Sequence, residues 1–169
     1  MHLIKEKLGK RLDLQNECFR EVWNLKVPAS AKVFRWRVLL DRLPSRTNLE
    51  SRGVHVSCNL CPLCNKEVET IQHLLINCEV AQRLWIKCDR WVRVMMVRNN
   101  DIVNHFCNFY LFRLTNKQNC VWKGKWVTLA KAIWTHRNRI IFEGGKLDQR
   151  YLHWHNYTLG LGQNLVGLG

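Results

Sequence analysis

The stretch "CPLCNKEVETIQHLLINC", residues 61–78, sets two cysteines two residues apart, then a histidine, then a third cysteine. Thiolate sulfur and imidazole nitrogen are the donors that tetrahedral zinc takes in structural sites. Cys61, Cys64, His73 and Cys78 could supply all four. The short gap lets Cys61 and Cys64 reach one ion from a tight turn, whose backbone N–H groups can face the sulfurs and favour their negative charge. Asn65 suits that turn, because asparagine tolerates positive φ. Cys58 also precedes Cys61 by three residues, so a Cys58/Cys61 register competes, at the loss of the Cys-Pro-x-Cys-Asn turn. Plain burial is the other account of a free cysteine; it suits Cys88, on an apolar stripe, better than this cluster.

The second half of the site needs helix geometry. "ETIQHLLIN" reads as one or two helical turns presenting His73. Cys78, five residues on, would lie about 140° round an unbroken helix. The helix is therefore expected to end near Asn77, with Cys78 at the mouth of the next one, where the dipole favours a thiolate. Such a site would clip three helices together.

A nucleophilic cysteine is a poorer reading. No glycine-flanked nucleophile and no oxyanion-forming loop accompanies any Cys–His pair, and a zinc catalyst would need an open fourth position. No enzyme activity is expected. His105 and Cys107 read as packing residues, and His153 and His155 as surface residues.

The elements around the cluster are helical. Residues 29–43, "ASAKVFRWRVLLDRL", place Val33, Trp36, Leu40 and Leu43 on one stripe with Arg35 and Arg42 opposite, and Pro44 stops the helix. A short helix follows in "SRTNLESRG", capped by Ser45 or Thr47 and stopped by Gly53. Residues 79–96 carry the stripe Val80, Leu84, Cys88, Trp91 and Met95. A last helix, about 119–142, aligns Trp122, Trp126, Leu129, Ile133 and Ile140. No alternation supports a sheet beyond a tiny hairpin at the CPLC turn. The expected fold is mainly α: a small zinc-stabilised helical domain at 17–98, a helical extension at 99–146, and a disordered glycine-rich tail at 147–169. Four of the nine glycines fall in the last ten residues, and glycine costs a helix about 1 kcal/mol per site.

Charge narrows the class of partner. Among 169 residues, 27 are Lys or Arg and 13 are Asp or Glu, a net charge of +14 with a pI near 9.8. Such an excess attracts polyanions, nucleic acid first among them. The N-terminus has no apolar core of signal-peptide type and no apolar run is long enough for a membrane span. A nuclear or cytoplasmic, non-secreted protein with no membrane partner is expected, and in a reducing compartment clustered Cys and His mean metal.

The segments "KVFRWRVLLDRLPSRTNLESRGV" and "CPLCNKEVETIQHLLINCEVAQRLW" together resemble the zinc-binding domain that follows the reverse transcriptase of plant LINE-type (non-LTR) retrotransposons. The resemblance runs from about Val22 to Trp91. It is carried by the Trp–Arg helix, the Leu-Pro turn, Cys-Pro-x-Cys, Glu-x-x-x-His-Leu and a Cys opening a helix with Leu-Trp. It implies Zn2+ held by Cys61, Cys64, His73 and Cys78, in a module that grips RNA or DNA for the polymerase. Nothing in residues 1–30 resembles the paired-aspartate motif of reverse transcriptases, and past Lys146 the pattern ends. A remnant or stand-alone piece of an element is expected.

Nucleic-acid binding is the leading expectation. Arg35, Arg37, Arg42 and Arg46 are the candidate phosphate contacts, supported by the basic run Lys117, Lys123, Lys125, Lys131, Arg137 and Arg139. The alternative is a zinc-clipped scaffold that docks on a polymerase or other protein through the tryptophan stripe of the last helix.

Overall fold

A computed structural model describes residues 20, 23–25, 27–91 and 101–146. Five α-helices are described: α1 (Ala29–Leu39), α2 (Arg46–Glu50), α3 (Glu79–Trp91), α4 (Ile102–Cys107) and α5 (Asn116–Glu143), with a π-helical segment at His73–Asn77. The fold is mainly α, as expected. The expected tail, 147–169, and Met95 of the third stripe lie outside the described residues.

Local chemistry sets the helix ends. Ser45 caps α2 by accepting from the Asn48 amide, and Asp101 caps α4 by accepting from the Asn104 amide. Thr115 opens α5 with a capping box: its hydroxyl accepts from the Gln118 amide while the Gln118 side chain accepts from the Thr115 amide. Gly144 ends α5 in the left-handed region at φ 64°.

The long α5 is the spine. It packs on α1 and on the π segment, which α3 also covers. Trp122, Trp126, Leu129 and Ile133 are buried along it, as the stripe predicts. Phe109 stacks on Trp122 with centroids 4.6 Å apart, and Phe106 meets Trp126 edge-on at 5.1 Å. His105 is a packing residue, as expected: it is buried, and its Nδ1 accepts from Trp126 Nε1 at 2.8 Å.

α1 corrects the sequence reading. Its buried face is Ala31, Phe34, Arg35, Val38 and Leu39, whereas Val33 is exposed and Trp36 only partly covered. This helix carries apolar residues nearly all round, so spacing alone admits two faces. The surfaces it meets decide between them. Arg35, expected to face solvent, is fully buried with its guanidinium carbon 4.3 Å above the Phe106 ring. A planar, weakly hydrated cation is well suited to stacking on an aromatic face.

Candidate metal centre

The tiny hairpin holds the first two cysteines. Leu60 and Val68 form an isolated antiparallel bridge, extended by Cys61 N–H to the Glu67 carbonyl at 2.7 Å and Glu69 N–H to the Asn59 carbonyl at 2.8 Å. Between them the Cys61–Cys64 turn closes with Asn65 at φ 53°, the left-handed position that asparagine accepts.

Of the other two residues, His73 opens the π segment and Cys78 follows its end. Thr70 Oγ1 accepts from the His73 amide at 2.9 Å, and Trp85 Nε1 of α3 donates to the Leu75 carbonyl at 2.8 Å, pinning the segment from both sides. The Cys78 amide donates to the His73 carbonyl at 2.6 Å. This five-residue closure is the π winding itself. It draws Cys78 back toward the side of His73, where α-helical winding would leave the two about 140° apart. The segment ends at Asn77, and α3 begins at Glu79, so Cys78 sits at the helix mouth as expected.

The four donor atoms of Cys61, Cys64, His73 and Cys78 lie within 4.8 Å of one another. Cys61 Sγ is 4.0 Å from Cys78 Sγ, and Cys64 Sγ is 3.3 Å from His73 Nε2. Zinc bonds of about 2.3 Å to sulfur and 2.0–2.1 Å to nitrogen set tetrahedral sulfurs roughly 3.8 Å apart, and sulfur roughly 3.5 Å from nitrogen. The residues fit the ion in donor type, number and separation. Cys58 is exposed and outside the group.

The surroundings of Cys78 favour its thiolate. The Cys61 thiol beside Cys78 holds the Cys78 pKa down to about 5 against the pull of burial, helped by the Val80 and Ala81 amides at the start of α3. The same hydrogen bond, with burial, drives Cys61 well above the ordinary thiol range. Amides of Cys64 and Leu63 face Cys61 from the turn, the arrangement the Cys-x2-Cys spacing implies.

Residues 6–85 match the protein family described as zinc-binding in reverse transcriptase. That segment contains all four donor residues, which supports a reverse-transcriptase-associated zinc-binding domain around this cluster. Neither a curated protein nor a solved structure matches the chain.

One residue beside the zinc-binding cluster was missed as functional. Glu69, the Glu of the Glu-x-x-x-His run, is fully buried. Its carboxylate accepts from Arg137 Nε at 2.6 Å and Arg137 Nη2 at 2.7 Å, and from the Arg46 amide at 3.0 Å. The Thr47 hydroxyl donates to the Glu69 carbonyl at 2.9 Å. The hairpin carrying Cys61 and Cys64 is thus tied to α2 and α5 through one carboxylate. Only the acid–His spacing hinted at this; its partner lies 68 residues on.

Among the candidate phosphate contacts, Arg37 and Arg42 are exposed. Arg35 is buried, as described above. Arg46 is committed inward: its Nη1 donates to the Leu60 carbonyl at 2.6 Å and its Nε lies 3.9 Å from Glu69. In the basic run of α5, Lys123 and Arg137 are buried, Lys131 donates to Ser30 Oγ at 3.0 Å, and Arg139 pairs with Glu143 at 3.3 Å. Lys117 is exposed. No helix among the described residues is long and apolar enough to cross a membrane.

Proposed function

We propose that this chain is a zinc-clipped nucleic-acid-binding module with no catalytic activity of its own, of the type carried by plant LINE-type retroelements and acting in the nucleus or cytoplasm. The observation that carries this reading is the pairing of a reverse-transcriptase zinc-binding segment with a net charge of +14. A Cys3His set offers four protein donors, the number a closed structural site uses, and zinc held there would contribute folding energy outright. Arg37 and Arg42 supply exposed guanidinium groups for phosphates. The alternative of a scaffold docking through the tryptophan stripe of the last helix loses its surface, since Trp122 and Trp126 are fully buried.

The test is the zinc content of the purified protein together with oligonucleotide binding over a salt series. Phosphate binding must weaken linearly as log K against log salt. Absence of binding at low salt would overturn the reading.

A further inference from the structure

The turn between α4 and α5 exposes an aromatic pair that the fold has built in rather than left loose. From Phe109 to Phe112 the side chains alternate. Phe109 is buried and Leu111 packs on the core, whereas Tyr110 is exposed and Phe112 is 96% exposed. Tyr110 and Phe112 meet edge-on with centroids 5.6 Å apart. Asn119, buried in the first turns of α5, holds the backbone beneath them. Its Oδ1 accepts from the Leu111 amide at 2.9 Å, and its Nδ2 donates to the Leu111 and Leu114 carbonyls, each at 3.0 Å. The Leu114 amide closes on the Leu111 carbonyl at 3.0 Å. Phe112 therefore stands out from a braced turn, almost wholly exposed.

Its surroundings select the partner. Arg113 follows it directly and Lys117 lies in the first turn of α5, both exposed. Residues 102–142 contain no Asp or Glu at all. An apolar protein surface has no use for that one-sided charge, whereas a phosphate backbone does. Aromatic rings flanked by cations are how proteins hold unpaired bases: the ring stacks on a base and the cations take the phosphates. A base inside a duplex has no free face to offer.

We propose that Tyr110 and Phe112, with Arg113 and Lys117, form a stacking platform for single-stranded nucleic acid. This rests on the nucleic-acid reading above and places a contact outside the segment matched by the zinc-binding family.

The experiment compares the full chain with Phe112→Ala and Phe112→Trp, using a short unpaired RNA, the DNA of the same sequence, and its duplex, at one salt concentration. Phe112→Ala is expected to weaken single-strand binding roughly five-fold or more, as loss of one stacked base does, with duplex binding unchanged and Phe112→Trp near the parent. The RNA and DNA arms identify which strand is preferred. Unchanged single-strand affinity in Phe112→Ala, or equal loss on single strand and duplex, overturns the platform alone. Loss of self-association in Phe112→Ala at high salt, without loss of oligonucleotide binding, assigns the ring to protein contact and also overturns it. A parent chain that binds none of the three probes overturns the proposed function itself, an outcome distinct from the others. Because Phe112 touches little of the core, the helical signal of each variant is expected to match the parent.

Discussion

Arg137 closes a two-pronged ion pair on Glu69, at 2.6 Å and 2.7 Å, with both side chains buried. The pair joins the C-terminal third of α5 to the hairpin that carries Cys61 and Cys64. Breaking it by removing one charge strands the other in the core. Glu69→Gln is expected to destabilise the fold by about 3–5 kcal/mol, whereas Glu69→Leu with Arg137→Met should recover most of that loss. Denaturant unfolding of the three proteins at matched metal content checks this.

Metal removal is expected to reach beyond the cluster. Structural zinc in finger peptides is worth roughly 10–16 kcal/mol of apparent binding energy, and α5 packs on the π segment that presents His73. Chelation should therefore lower helicity across α5 as well as at residues 61–78. One zinc per chain is expected, and Cys64→Ser should abolish tight binding while Cys58→Ser leaves it intact. Metal analysis with circular dichroism reads both effects.

The arginines of α1 should separate into two classes. Arg37→Gln with Arg42→Gln is expected to leave stability unchanged, weaken binding evenly across sequences, and reduce the salt slope by about two units. Arg35→Gln should instead lower stability, because it removes a buried cation from the Phe106 face. Thermal unfolding beside a salt titration distinguishes them.

The sequence by itself determined what is local. Ligand spacing named Cys61, Cys64, His73 and Cys78. Ser45 marked the start of α2, and the tryptophan spacing of α5 gave its buried face, because these signals act within a few residues; Pro44 did not mark the end of α1, which stops earlier, at Leu39. Only tertiary structure decided which face of α1 turns inward, since that depends on Phe106 and α5 arriving from later in the chain. The π winding at His73–Asn77 likewise follows from where Cys78 must stand and from Trp85 pinning Leu75. In the sequence Glu69 belongs to the Glu-x-x-x-His run and Arg137 to a basic run; only the fold removes both from water, and in that low-dielectric interior each becomes the other's required partner.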